Sequence, residues 1–134
     1  MAKKRVLNTN KNIAFSCQYL VVWCPKYRRK VLSGEVKKRL IEIILCVSEE
    51  LGAKVKELQV MPDHVHLLID CDPSFGVYKI IKRIKGHSSR LLRYAFPHLK
   101  SRLPTLWTNS MCVLSTGGAN IEVIRQYIQN QKDV

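Results

Sequence analysis

Three sets of side chains in this sequence have the types and spacing for chemistry. His64-Val65-His66 falls in a run that reads as a strand. Side chains alternate along a strand, so His64, His66, Leu68 and Asp70 share one face and Val65, Leu67 and Ile69 the other. With the apolar set beneath a helical layer, two imidazoles stand side by side on the open face, where they can jointly hold one divalent cation. Tyr127 and Gln131 stand four apart, one above the other on a helix. A phenol, with its ordinary pKa of about 10, needs charge stabilisation nearby to act as a nucleophile. An amide oxygen next to it could complete a metal site, and the metal would polarise a phosphate under attack. The third set is cationic with aromatic rings interleaved: Trp23, Lys26, Tyr27, Arg28, Arg29 and Lys30, then Lys79, Lys82, Arg83, Lys85, Arg90 and Arg93. Cations bind phosphates and flat rings stack unpaired bases, a mixture suited to single strands or hairpin ends.

Each set has an ordinary alternative on the residues alone. Half-buried strands commonly expose unliganded histidines. Tyr127 could edge the apolar stripe of Ile121, Ile124 and Ile128 with its hydroxyl in water. A solvated helix face also carries lysines, although it normally carries acids among them, and the run from Lys79 to Lys100 contains none.

The elements that must position these groups follow from periodicity. Phe15 to Cys24, aromatic and β-branched, reads as a first strand stopped by Pro25. Gly34 opens a helix to about Leu51, with Val36, Leu40, Ile43, Ile44, Val47 and Leu51 on one face and Gly52 as its stop. Lys54 to Met61 and His64 to Cys71 are strands joined by a tight turn at Pro62-Asp63. Asp72-Pro73 is a helix-start signal, with Val77, Ile80, Ile81 and Ile84 facing inward after it and a break at Gly86 within reach. Pro97 ends that region and a basic loop follows. Met111 to Ser115 reads as a short strand, Gly117-Gly118 as a flexible joint and Asn120 to Gln131 as a last helix. The expected class is α+β: a ferredoxin-like βαββαβ antiparallel sheet with helices on one face, plus an extra C-terminal helix carrying the tyrosine.

Composition bounds the partners. The chain has 134 residues, enough for one domain over 1–134, with 1–12 as a basic N-terminal arm and 119–132 as a mobile tyrosine helix. Hydrophobic residues make up 46%, enough for a real core. Lys and Arg outnumber Asp and Glu 23 to 10, a net charge of +13 whose self-repulsion a polyanion would relieve. Nucleic acid is the first candidate, an anionic membrane surface the second, and a basic protein without such a partner the plain alternative. No signal peptide or membrane-spanning run stands out, and five cysteines without a CxxC pair read as reduced, so a cytoplasmic location is expected. There is no Gly-rich phosphate loop and no GxSxG elbow. Several of the scarce acids (Glu35, Glu42, Glu49, Glu50) fall on the first helix, which leaves little for a carboxylate-cluster nuclease.

From about Ala14 to Gln131 the chain resembles the single-tyrosine HUH transposases of small bacterial and archaeal insertion sequences. The resemblance is carried by Val22-Trp23-Cys24-Pro25-Lys26-Tyr27-Arg28-Arg29, Asp63-His64-Val65-His66 and Asp72-Pro73-Ser74-Phe75-Gly76. Lys85-Gly86-His87-Ser88-Ser89-Arg90, Leu103-Pro104-Thr105-Leu106-Trp107-Thr108-Asn109-Ser110 and Tyr127-Ile128-Gln129-Asn130-Gln131 extend it. It implies that His64 and His66 bind Mg²⁺ or Mn²⁺, that Gln131 is the third ligand and that Tyr127 is the nucleophile. It further implies a homodimer in which the tyrosine helix of one subunit can complete the histidine site of the other, with Gly117 and Gly118 as the hinge. The implied DNA is single-stranded, with hairpins near the ends of the element. Cleavage would leave a 5′-phosphotyrosine and a free 3′-OH, without ATP or another organic cofactor. Three other readings stay open: a domesticated relative acting on chromosomal palindromic repeats, a non-catalytic single-stranded nucleic-acid-binding module, and a metal-dependent phosphodiesterase using water, which would not need Tyr127.

Overall fold

Alternation along His64–Asp70 decides how the sheet must sit. Val65, Leu67 and Ile69 are fully buried, whereas His64, His66 and Leu68 are only partly covered. Each buried aliphatic is worth roughly 1.5–3 kcal/mol. A one-residue slip would exchange these side chains for imidazoles in the core, so the register is strongly held.

The computed structural model describes residues 8–9, 14–15, 17–115 and 121–134. Its strands are β1 (Asn8–Thr9), β2 (Ala14–Phe15), β3 (Gln18–Trp23), β4 (Lys54–Met61), β5 (His64–Asp70) and β6 (Cys112–Ser115). Its helices are α1 (Gly34–Glu50), α2 (Val77–Ala95), α3 (Pro97–Arg102) and α4 (Ile121–Asn130), with a single 3₁₀ turn at Lys26–Arg28. Four strands form one antiparallel sheet in the order β4-β5-β3-β6, which with α1 and α2 is the βαββαβ arrangement. The two-residue hairpin rule is met between β4 and β5, where Met61 pairs with His64 across Pro62-Asp63.

α1 and α2 pack against each other and bury Val36, Leu40, Ile43, Ile44 and Val47 with Ile80, Ile81, Ile84 and Leu92 over the apolar sheet face. Gly52, at φ 72°, takes the left-handed conformation that closes α1. Trp23 lies on the same sheet face as Val21 and is fully buried, edge-on to Trp107 at a centroid distance of 6.0 Å. It is a core residue, not a ring offered to bases, because alternation sends it under the helices.

Four boundaries differ from the sequence expectation, each for a local reason. The first long strand begins at Gln18, since Ala14–Phe15 pairs instead with Asn8–Thr9, inside the span expected to be a free arm. The rest of that arm lies outside the described residues, as do Gly117 and Gly118. α2 begins at Val77 and not at Pro73: Asp72 Oδ1 accepts from Ser74 N at 2.8 Å and Ser74 Oγ at 2.6 Å, closing a turn, and Gly76 at φ 93° cannot continue it as helix. α2 runs unbroken through Gly86. The expected loop after Pro97 holds α3, started by Pro97 in its first turn and anchored by the fully buried Leu99.

Candidate functional site

The open face of the sheet carries the histidine pair. The rings of His64 and His66 lie 5.2 Å apart, centroid to centroid. His64 Nδ1 is 2.7 Å from Asp63 Oδ1; with the proton on Nδ1, Nε2 is left as the lone-pair donor. His66 Nε2 is buried and has no hydrogen-bond partner. Burial and the neighbouring His64 hold its imidazole below the usual histidine pKa, favouring the neutral form. The donor chemistry of the pair fits a divalent cation. Among the described residues no group of three or more His, Cys, Asp and Glu gathers to hold a metal ion.

The tyrosine helix reaches the same face. Cys24, two residues beyond the Val22 that pairs with His66, is fully buried. It lies within electrostatic reach of both Asp63 and Tyr127. Burial, with Asp63 next, pushes its thiol up to about 12, so it is an inert filler. Burial raises the Tyr127 phenol above its ordinary value, and the neighbouring Cys24 and Cys112 add to the rise. The nucleophile candidate is thus held protonated. Tyr127 Oη is 2.8 Å from Ser110 Oγ, and the same Oγ is 2.9 Å from Gln131 Oε1.

Two devices hold this assembly together. Tyr27 and Arg28 take left-handed φ of 59° and 49°, costly for non-glycine residues. That turn is fixed by Lys26 N on Leu106 O at 2.8 Å and Tyr27 N on Val134 O at 2.8 Å. It aims the Arg28 guanidinium so that Nε meets Asp63 Oδ2 at 3.3 Å and Nη1 donates to Ile128 O of α4 at 3.3 Å. Arg28 thereby ties the histidine turn to the tyrosine helix. The second device is Lys85, whose Nζ donates to Thr108 O at 2.6 Å and Ser110 O at 3.0 Å. Burial brings its pKa down to about 8. The segment it braces is laced to the sheet edge by the Pro25–Trp107 bridge and by Thr108 N on Cys24 O at 3.1 Å.

The remaining cations face outward. Lys79, Lys82, Arg83 and Arg90 are exposed along α2, with Lys79 Nζ 5.7 Å from the Phe75 ring and Lys82 Nζ 5.9 Å from the Tyr78 ring. Phe75, Lys79, Lys82, Arg83, His87 and Arg90 help line a shallow cleft of about 580 Å³. Around the 3₁₀ turn, Lys26 and Arg29 sit 5.2 and 5.8 Å from the Tyr27 ring, and Lys30 is exposed. Of the residues expected to grip DNA, Arg28, Lys85 and Arg93 are instead committed to bonds within the chain, Arg93 through Nη2 to Leu103 O at 3.4 Å. The sequence reading gave no part to Asp63 or Ser110. The carboxylate directly before a ligand-type histidine was the one local signal for Asp63; Ser110 had none, because its partners are far along the chain.

Residues 13–131 match the family model described as transposase, IS200 like. The ISDra2 transposase TnpA of Deinococcus radiodurans is 35% identical over 129 residues, 95% of this chain and 92% of that protein. The transposase for insertion sequence element IS200 of Salmonella typhimurium is 30% identical over 119 residues, 87% of this chain and 78% of the relative. A crystal structure of a D. radiodurans transposase superposes with a TM-score of 0.82 at 34% identity, over 95% of this chain and 99% of that one. A REP-associated tyrosine transposase bound to a REP hairpin superposes with a TM-score of 0.57 at 15% identity, over 96% of this chain and 68% of that one, a likeness of fold. No helix of the described residues is long and apolar enough to cross a membrane.

Proposed function

Because the chain belongs to the IS200-like transposase family, we propose that it cuts and rejoins single-stranded DNA through a covalent bond to Tyr127. The observation that carries this reading is the joining of nucleophile and histidine turn: Arg28 bridges Asp63, which orients His64, to the backbone of the helix bearing Tyr127 and Gln131. A non-catalytic binding module has no use for such a bridge, nor for a buried imidazole nitrogen left without a partner.

In the reaction, Tyr127 Oη attacks the scissile phosphorus in line with the 3′ oxygen. The Oη–P bond forms and the P–O3′ bond breaks. The phenolic proton passes to solvent and the departing 3′ oxygen takes one up, giving a 5′-phosphotyrosine and a free 3′-OH. Attack by a second 3′-OH on the phosphotyrosine reverses these changes and releases Tyr127, so joining needs no energy source. His64 and His66 would hold Mg²⁺ or Mn²⁺, with Gln131 as the third protein ligand. The cation, when bound, supplies charge neutralisation at the scissile phosphate. The exposed cations and rings of α2 and of the turn after β3 would grip hairpin-bearing single strands through phosphates and unpaired bases.

The phosphate travels with the downstream strand, which makes the test directional. With a single-stranded hairpin oligonucleotide and Mn²⁺, a 3′-end label should become covalently attached to protein and a 5′-end label should not. Tyr127→Phe should bind the same DNA and form no adduct. Cleavage by the phenylalanine variant at near wild-type rate would remove Tyr127 from the mechanism.

A further inference from the structure

Ser110 stands where Tyr127 and Gln131 meet, and its single hydroxyl hydrogen dictates how they are arranged. That hydrogen is donated to Gln131 Oε1 at 2.9 Å. Ser110 Oγ must then accept from the Tyr127 hydroxyl, 2.8 Å away. The directed chain runs from phenol to serine to amide. It restrains rotation of the phenol and holds Gln131 by the carbonyl oxygen that faces the serine. Ser110 lies outside any helix or strand and would be a poor anchor unaided. Its own C=O and that of Thr108 accept from Lys85 Nζ, so the segment is pinned to α2; Thr108 Oγ1 adds a long contact at 3.4 Å.

We propose that Ser110, anchored through Lys85, is a positioning residue for strand cleavage, its hydroxyl setting the Tyr127 phenol and the Gln131 amide oxygen in one fixed relation to the histidine strand. This rests on the phosphotyrosine reading above. An error of about 1 Å in placing a reacting group costs on the order of 100-fold in rate, whereas affinity for DNA draws on distant cations.

The test is single-turnover adduct formation on the 3′-labelled hairpin oligonucleotide with Mn²⁺, alongside the Kd for the same DNA in EDTA. Ser110→Ala should slow adduct formation about 10- to 100-fold with Kd within about twofold of wild type. Ser110→Thr and Ser110→Val, equal in size but only the first bearing a hydroxyl, should divide cleanly: threonine recovers most of the rate and valine does not. That pair decides the matter should the alanine variant fold poorly. Lys85→Met should slow the wild type but add little to Ser110→Ala, since both act on one chain of contacts. If wild type forms the adduct and Ser110→Ala and Ser110→Val match its rate, the positioning role is overturned and the covalent mechanism stands. A fall in DNA affinity equal to the fall in rate overturns it too, assigning Ser110 to binding. Absence of any adduct with wild type overturns the covalent mechanism itself.

Discussion

A ligating histidine binds through one nitrogen and is aimed by the other, and in the proposed site Asp63 would do the aiming. Its Oδ1 takes His64 Nδ1 at 2.7 Å while its Oδ2 takes Arg28 Nε at 3.3 Å, so one carboxylate serves both the histidine pair and the bridge to α4. Asp63→Asn keeps the shape and removes the charge. It should raise the Mn²⁺ concentration for half-maximal cleavage about 10- to 100-fold, the usual cost of losing such an outer partner. DNA affinity in EDTA should not change; an unaltered Mn²⁺ requirement would strip Asp63 of this part. The His64–His66 pair and the Tyr127–Gln131 pair were legible in the sequence because periods of two and of four residues place them on common faces. Asp63 was legible only as a turn residue. Ser110 and the bridging use of Arg28 were not legible at all, since they meet their partners 17 to 100 residues away and no periodicity reports that.

Among the elements, α2 does two jobs with opposite faces. Ile80, Ile81, Ile84 and Leu92 fill the core, while Lys79, Lys82, Arg83 and Arg90 point to solvent without an acid among them. Both faces were readable from helical spacing. The start of the helix was not, because Asp72 caps a lone turn before Gly76 redirects the chain, and a capped turn looks in sequence like a capped helix. α3 was hidden too: six residues are too few for a periodic signal, and buried Leu99 is what holds them. The division of faces predicts which cations bind DNA. Lys82→Ala and Arg90→Ala should each reduce the slope of log Kd against log salt for a hairpin-bearing single strand by about 0.7–0.9. Lys85→Met should leave that slope unchanged, because its ammonium is spent on the carbonyls of Thr108 and Ser110. Equal slopes for all three variants and wild type would place the DNA elsewhere.

For the whole molecule, the dimer we propose raises the question of which subunit's α4 would complete a given site. In the single chain α4 docks on its own sheet through Ser110–Tyr127, Ser110–Gln131 and Arg28–Ile128 O. None of these bonds depends on which copy supplies the helix, so a second chain exchanging α4 would make the same ones, as in any domain swap. The hold is also modest. Among the described side chains of α4, Ile124 alone is buried and apolar, Val123 is half exposed, and each hydrogen bond nets about 0.5–1.5 kcal/mol. In the proposed reaction, storing two cut ends on one-tyrosine sites would require two sites, and exchanged helices would couple them. The charge of +13 opposes pairing of free chains, and bound DNA would relieve that repulsion, so the experiment includes DNA. Mix a Tyr127→Phe chain with a His64→Ala chain, each inactive alone, on hairpin-bearing single strands. With exchanged helices, one site of each mixed dimer joins an intact His64 to an intact Tyr127, and the other gathers both lesions. Cleavage should return to about half the wild-type yield when mixed dimers are isolated by two different affinity tags. Isolated mixed dimers that leave the DNA uncut would mean that each α4 stays with its own sheet during this step.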